Sequence, residues 1–129
     1  MKVRNTPCPC DPARSYAKCC ERFHAGVNAP DAESLMRSRY SAYVLQLSDY
    51  LMATWHADTR PTDALIADAT TPKWIHLDIR RHESTGEHSA IVEFIARYRL
   101  GGRAERMHEL SRFVEEDGRW YYVDGDQLE

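Results

Sequence analysis

All four cysteines of this 129-residue chain lie within residues 8–20, CPCDPARSYAKCC, and this stretch decides how the N-terminal end folds. The cysteines are spaced as C-x-C-x8-C-C, that is, as two tight pairs joined by a polar loop. Four thiolates in two short pairs can surround one tetrahedral ion, and the metal–sulfur bonds then offset the entropy lost in closing the loop. The spacing therefore predicts a zinc ion bound by Cys8, Cys10, Cys19 and Cys20.

Other uses of these cysteines are less favourable but remain open. The disulfide pairing that joins the close pairs would link the adjacent residues Cys19 and Cys20, which strains the bond. Crossed disulfide pairings belong to an oxidising compartment, and reactive or redox thiols require an open or labile metal site. His24, one helical turn after Cys20, is an alternative metal ligand.

The same stretch resembles the SEC-C motif, a zinc-binding segment first recognised in the SecA preprotein translocase ATPase. That motif has C-x-C, eight residues and then C-H or C-C, with an aromatic residue three positions before the third ligand. Tyr16 occupies this position. The chain departs from the motif at Asp11-Pro12, where a Gly-Ser turn is usual, so we expect a differently shaped loop. The resemblance implies a zinc site made by the same four cysteines.

Composition and charge limit the partners of the protein. The net charge of −3 argues against a dedicated nucleic-acid-binding protein. Residues 1–25, here called the zinc segment, hold five basic and two acidic residues, so a basic segment precedes an acidic body. We expect this segment to contact a protein partner, although the basic residues could also simply offset the charge of a zinc ion held by four thiolates.

The start of the chain also bears on localisation. Residues 1–7 contain no apolar stretch of the kind found in signal peptides, and no stretch of the chain is long and apolar enough to span a membrane. We therefore expect a cytoplasmic protein that does not associate with membranes, and in that compartment the cysteines stay reduced.

Beyond the zinc segment, apolar residues first recur with the period of a helix. Met36, Tyr40, Tyr43 and Leu47 predict a helix over residues 31–47. A short second helix is expected at 50–56 after the capping pair Ser48-Asp49, and a weaker third helix at 62–69.

The second half of the chain changes to the alternating pattern of strands. Four strands are predicted, at residues 74–80, 91–98, 105–114 and 119–123. Turn signals separate them, at 84–87, at Gly101-Gly102 and at Asp117-Gly118. Helices followed by an antiparallel meander predict an α+β fold in which a bent sheet wraps around the helices.

This order of elements resembles the nuclear-transport-factor-2-like (NTF2-like) fold, a cone of three helices against a four-stranded bent sheet. The segments LMRSRYSAY (35–43), ATWH (53–56), SRF (111–113) and GRWYYVDG (118–125) are more distinctive and resemble the YchJ-like bacterial family. Members of that family join a SEC-C segment to such a domain. The resemblance implies two domains, residues 1–25 and 28–129, and no particular activity. Since residues 1–25 have few large apolar side chains, we expect them to form a semi-independent unit held by metal bonds.

Two classes of function follow from these observations. The first is a zinc-binding interaction or adaptor protein, whose NTF2-like domain binds a protein or forms a homodimer. The second is a small-molecule-binding protein, or an enzyme with the acid–base chemistry of an isomerase or dehydratase. For the second class, Glu109 shares a strand face with Ser111 and Phe113, and His56 ends the short second helix. Glu109 and His56 are therefore the candidate catalytic residues. The alternative is that Glu109 is paired with an arginine such as Arg39 or Arg97 and that His56 simply caps the end of its helix.

Overall fold

A computed structural model of the protein describes residues 6–62 and 72–128. The zinc segment forms two short strands, β1 (Pro7–Cys8) and β2 (Asp11–Ser15), then a 3-10 helix at Tyr16–Lys18 and helix α1 (Cys20–His24). The Asp11 side chain accepts a hydrogen bond from the backbone N–H of Ala13 at 2.9 Å. An aspartate thus shapes the turn that glycine and serine form in the usual motif.

Two helices follow the zinc segment. Helix α2 (Ala32–Leu45) begins after Asp31, whose carboxylate accepts a hydrogen bond from the backbone N–H of Ser34 at 2.8 Å, and it ends at Gln46 in the left-handed conformation, φ 61°. Helix α3 (Ser48–Ala53) is the short helix expected from the sequence, but it begins and ends before the predicted residues 50–56. The third predicted helix, 62–69, falls almost entirely outside the described residues. Among the described helices, none combines the length and apolarity needed to cross a membrane.

The four predicted strands are confirmed and form one antiparallel meander in the order β3-β4-β5-β6. Their bounds are Lys73–Gly86, Ser89–Leu100, Arg103–Glu116 and Arg119–Gln127. Two predicted turns are also confirmed. Gly101 and Gly102 have φ of 61° and 82°, and Asp117 and Gly118 have φ of 54° and 78°, so each turn has the two positive φ values of a type I′ hairpin.

The first hairpin differs from the prediction. Strand β3 does not end before Ser84 but continues to Gly86, which pairs with Ser89, so the turn lies at residues 87–88. The prediction failed because residues 80–86 are exposed and polar and show no apolar alternation. Backbone pairing with β4 and polar side-chain contacts, such as Arg81 with Glu93 and Thr85 with Ser89, keep them in the sheet.

Irregularities in the strand register bend the sheet. The pairing of β3 with β4 shifts at residues 74–76 and 79–81, and that of β5 with β6 shifts at 112–113. An extra residue in one strand increases local twist and curvature. At the far edge, Tyr122 exchanges backbone hydrogen bonds with Thr54 and His56, both at 2.8 Å. The chain after α3 thus covers the edge of β6, and α2 lies against the inner face of the sheet.

The zinc segment packs directly against α2. All four cysteines and Phe23 belong to the same buried cluster as Leu35, Met36 and Tyr40 of α2 and Val92 and Phe94 of the sheet. The expectation that metal bonds alone hold residues 1–25 is therefore wrong for the described residues, because the segment shares its core with the rest of the chain. Whether residues 28–129 fold by themselves stays a prediction.

Candidate metal centre and ligand cavity

The four cysteine sulfurs lie at the spacing of a tetrahedral metal site. The Sγ–Sγ distances are 3.7 Å for Cys8–Cys10, 3.6 Å for Cys10–Cys19 and 3.9 Å for Cys19–Cys20, and all four sulfurs lie within 4.8 Å of one another. A tetrahedron of sulfurs around zinc, with bonds of about 2.3 Å, has edges of about 3.8 Å. None of the cysteines forms a disulfide bond. The donor set fits a single metal ion.

Local backbone geometry brings the two cysteine pairs together. The β1–β2 hairpin presents Cys8 and Cys10, and the 3-10 helix leads to Cys19. Cys19 has the unusual angles φ −126° and ψ −109°, so the chain bends sharply between the 3-10 helix and α1. This bend lets the adjacent residues Cys19 and Cys20 direct their sulfurs to the same point.

Residues of α2 support the cluster. The Ser41 hydroxyl donates a hydrogen bond to the sulfur of Cys20 at 3.2 Å and lies 3.6 Å from the sulfur of Cys8. Arg37 Nη1 donates to the carbonyl oxygen of Cys10 at 3.4 Å. The nearby sulfurs of Cys10 and Cys8, together with burial, raise the pKa of the Cys20 thiol. Four ionised thiolates in this space therefore need a cation to balance their charge.

The cluster is closed to solvent. Each of the four cysteines is at most 5% exposed. Reactive and redox-active thiols require access for their partners, so this burial argues for a structural site.

His24 lies outside the cluster, and its ring makes other contacts. Nε2 lies 2.8 Å from the carbonyl oxygen of Ser38, and Nδ1 lies 2.7 Å from the hydroxyl of Tyr16. A carbonyl oxygen can only accept, so Nε2 carries the proton and Nδ1 of the neutral ring accepts from Tyr16. Both nitrogens are thus engaged, and a role as substitute ligand would require breaking one of these contacts.

A second candidate site is a cavity between α2 and the inner face of the sheet. It has a volume of about 250 Å³ and is partly open to solvent. Its walls are mostly aromatic and aliphatic, with two charged residues: Met36, Arg39, Tyr40, Tyr43, Trp55, Trp74, Phe94, Ala96, Met107, Glu109, Ser111 and Tyr122. An apolar cavity with a few polar groups is typical of a small-molecule site.

Glu109 lies in this cavity, on the same buried face as Ser111 and Phe113, as the strand alternation predicted. One carboxylate oxygen, Oε2, accepts hydrogen bonds from the hydroxyls of Ser111 at 2.7 Å and Tyr122 at 3.2 Å. The other, Oε1, accepts from the side-chain amide of Gln127 at 2.9 Å. Among the described residues no arginine is ion-paired with Glu109, so its carboxylate stays available to a ligand.

A glycine on the neighbouring strand makes space for this carboxylate. Gly125 of β6 pairs with Ser111 of β5, and a Cβ atom at Gly125 would overlap the Glu109 carboxylate. The close approach of backbone and carboxylate thus requires glycine here.

Arg39 is a charged residue of this cavity that the sequence analysis did not identify as a site residue. It is 4% exposed, and its guanidinium lies over the rings of Trp55, 5.1 Å from the centroid, and Tyr122, 4.6 Å away. Nη1 donates to the carbonyl oxygen of Leu51 at 2.9 Å and to the hydroxyl of Thr54 at 2.7 Å. Burial lowers the pKa of this guanidinium from its ordinary value. No carboxylate of the described residues forms an ion pair with it.

The sequence did carry a signal for Arg39. Met36, Arg39, Tyr40 and Tyr43 stand at i, i+3, i+4 and i+7, which is one face of a helix. A charged residue within the core face of a helix, without an acidic residue one turn away on that face, indicates a buried cation.

His56 is not among the residues that line the cavity, so the prediction that it lies there is wrong. Its Nδ1 accepts a hydrogen bond from the backbone N–H of Asp58 at 3.1 Å, so Nε2 carries the proton and donates to Glu116 at 2.7 Å. The ring also lies against Tyr121, whose side chain points away from that of its neighbour Tyr122. Helix α3 ends at Ala53, and His56 lies beyond it, on the side of β6 to which Tyr121 points.

The fold and the cysteine cluster together define a class of protein, in which a SEC-C-type segment is joined to an NTF2-like domain. The family model described as the YchJ middle NTF2-like domain matches residues 31–125. The chain is also 57% identical over 122 residues to a UPF0225 protein of Bordetella pertussis, covering 92% of this chain and 91% of the relative. A UPF0225 protein of Xanthomonas campestris is 54% identical over 119 residues, covering 92% of each chain.

Two solved structures have the same architecture. The solution structure of a SEC-C motif containing protein from Rhodopseudomonas palustris matches with a TM-score of 0.80 and 31% identity, over 95% of this chain and 99% of that one. The crystal structure of a SEC-C motif containing protein from Psychrobacter arcticus matches with a TM-score of 0.75 and 30% identity, over 96% of this chain and 84% of that one. The chain belongs to the YchJ-like UPF0225 family, which confirms the resemblance found in the sequence.

Proposed function

We propose that this protein binds a small organic molecule in the cavity between α2 and the sheet, and that a zinc ion at the four cysteines holds α2 in place. The observation that carries the proposal is the cavity itself, where an apolar wall surrounds the two charged side chains of Arg39 and Glu109 without an ion pair between them. Buried charges are costly unless they are paired, so two unpaired charges facing one cavity indicate a ligand that interacts with them.

Helix α2 links the metal centre to the cavity. Ser41 and Arg37 contact the cysteines, while Arg39, Tyr40 and Tyr43 of the same helix line the cavity. A metal ion that fixes the N-terminal segment against α2 therefore also fixes the wall of the cavity.

The chemistry of the donor set favours zinc. Four buried thiolates suit a soft or borderline ion with tetrahedral coordination, and four protein ligands leave no open position for substrate. The proposed zinc ion is thus structural and supplies no reaction chemistry.

The adaptor role expected from the sequence stays a prediction. Three further expectations also stay predictions: a protein partner for the basic zinc segment, a homodimer and a cytoplasmic location. The burial of all four cysteines against α2 gives the metal a sufficient role inside the protein, so we place small-molecule binding first.

Metal analysis tests the zinc half of the proposal. Protein purified under reducing conditions without chelator should contain about one zinc per chain. Adding 1,10-phenanthroline should lower the melting temperature, while the non-chelating isomer 1,7-phenanthroline should leave it unchanged. A protein free of zinc after such a purification would overturn this half.

An NMR titration with phenol tests the cavity half. Saturable shifts should be confined to the backbone amides of cavity residues. Met107→Trp, which fills the cavity from β5, should abolish them, whereas Arg106→Trp adds the same ring on the exposed neighbouring position and should not. Both variants are checked for a cooperative melting transition. Shifts that do not saturate, or that persist in Met107→Trp, would show that phenol does not enter the cavity.

A further inference from the structure

The charged groups of the cavity define what kind of ligand it accepts, and this inference rests on the proposed small-molecule function. We propose that the ligand is a small carboxylic acid with a flat, apolar body and a single hydroxyl group at its far end. Its carboxylate would contact Arg39 and its hydroxyl would donate to Glu109.

The carboxylate end follows from the unused donors of Arg39. A guanidinium has five N–H groups. Among the described residues, Nη1 donates to Leu51 and Thr54, and the hydroxyl of Tyr43 also lies within hydrogen-bonding reach of the guanidinium. Nε and Nη2 together form the edge that binds a carboxylate with two parallel hydrogen bonds. If Tyr43 takes one of the three N–H groups of Nε and Nη2, two remain, and a cation held between two aromatic rings with two such donors is suited to an anionic group.

The hydroxyl end follows from the acceptor capacity of Glu109. A carboxylate offers about four acceptor positions, and three are used by Ser111, Tyr122 and Gln127. The remaining position is on Oε1, which accepts only from Gln127 among the described residues. One hydroxyl satisfies one position. An ammonium group would bring three donors and leave two of them unsatisfied in an apolar cavity, so a hydroxyl fits better.

The flat body follows from the walls. Aromatic side chains make up half of the lining, including Tyr40, Trp74 and Phe94, and the cavity of about 250 Å³ leaves space for a single-ring compound. Flat rings gain both apolar burial and stacking against such walls. The opposite charges of Arg39 and Glu109 also make the cavity neutral overall, which disfavours ligands with two anionic groups.

Four isosteric probes test the inference. 4-Hydroxybenzoate carries both groups, 4-hydroxybenzamide lacks the charge, 4-methylbenzoate lacks the donor, and 4-methylbenzamide lacks both. We expect 4-hydroxybenzoate to bind at least about tenfold more tightly than either single analogue, since each loss leaves a buried polar group unpaired. Dissociation constants come from the same NMR titration.

Two variants assign the contacts. Arg39→Gln should remove the preference for 4-hydroxybenzoate over 4-hydroxybenzamide, and Glu109→Gln should reduce the preference over 4-methylbenzoate. Arg97→Gln, which changes the same charge at an exposed position on β4, should leave both preferences intact. If Arg39→Gln does not fold, the four probes on the unchanged protein and on Glu109→Gln still decide.

The outcomes separate this inference from the proposed function. Equal binding of all four probes in the cavity would overturn the acid-and-hydroxyl inference and leave small-molecule binding standing. Tighter binding of 4-methylbenzamide than of 4-hydroxybenzoate would overturn the inference in the same way. Absence of binding by every probe, phenol included, would overturn both.

Discussion

The hydroxyl of Ser41 donates a hydrogen bond to the sulfur of Cys20, with an Oγ–Sγ distance of 3.2 Å. Ser41 lies on α2, two residues after Arg39, whose guanidinium lines the cavity. Ser41 and Arg39 therefore lie on different faces of α2 but within one helical turn along its axis, so the cysteine cluster and the proposed ligand site share this part of the helix. Changes at either site should therefore be felt through this helix.

Replacing Ser41 with alanine should weaken metal binding. The hydroxyl is fully buried and stabilises negative charge on Cys20, and loss of such supporting hydrogen bonds typically costs about 10- to 100-fold in metal affinity. Competition with a chromophoric zinc chelator measures the change. Ser38→Ala is the matched control, because Ser38 is equally buried on α2 but bonds to Leu35 and Tyr50 instead of a cysteine. Equal zinc affinity of Ser41→Ala and the unchanged protein would contradict the role given to this hydroxyl.

Removing the zinc segment should destabilise the rest of the chain. A protein starting at Asn28 would expose the side of α2 that now packs against Phe23 and the cysteines. Burial of a phenylalanine alone contributes about 1.5–3 kcal/mol, so we expect the free energy of unfolding to fall by at least about 3 kcal/mol. Urea unfolding followed by circular dichroism measures this difference. Unchanged cooperativity and midpoint would instead support the sequence-based view of residues 1–25 as a semi-independent unit.

Gly125→Ala should displace the Glu109 carboxylate. The added methyl group would overlap that carboxylate, and overpacking of this kind costs about 1–3 kcal/mol. A double-mutant cycle with Glu109→Ala isolates the cause, since the overlap disappears when the Glu109 side chain is removed. Chemical denaturation of the four proteins gives the coupling energy. If Gly125→Ala costs the same in both backgrounds, the carboxylate is not what requires glycine.

The stability of the protein should depend on the protonation of His24. Burial lowers the pKa of this imidazole below its ordinary value of 6.5, against smaller opposite effects of the Ser38 carbonyl and of Cys8. Between 6.5 and the lower folded value, the unfolded chain binds a proton that the folded protein does not, so stability decreases as the pH falls through this window. The charged ring would also lose the acceptor that Tyr16 uses.

Melting temperatures of the unchanged protein and of His24→Gln, measured from pH 8 to pH 5.5, test this expectation. The advantage of the unchanged protein over the variant should shrink at the acidic end. His76→Gln, at an exposed position on β3, serves as the control and should follow the unchanged protein at every pH. A constant difference between the unchanged protein and His24→Gln across the range would contradict the predicted protonation.

The sequence by itself determined which four cysteines cluster and the order of the strands. Cys8 and Cys19 belong to two short pairs joined by eight residues, a spacing that allows all four sulfurs to meet at one point. The turn at Gly101-Gly102 was also predictable from the local sequence. Both positions need positive φ, which glycine adopts without strain. The shared face of Glu109 and Phe113 followed from the alternation of a strand.

Only the tertiary structure decided which distant residues meet. Arg39 of α2 and Glu109 of β5 line one cavity because the helix packs across the inner face of the bent sheet, and no local pattern encodes that contact. Packing likewise directs the ring of His24 to Ser38 and places His56 beside Glu116, away from the cavity. Spacing along the chain sets which side chains share a face, whereas the contacts between faces depend on how the elements close around a common core.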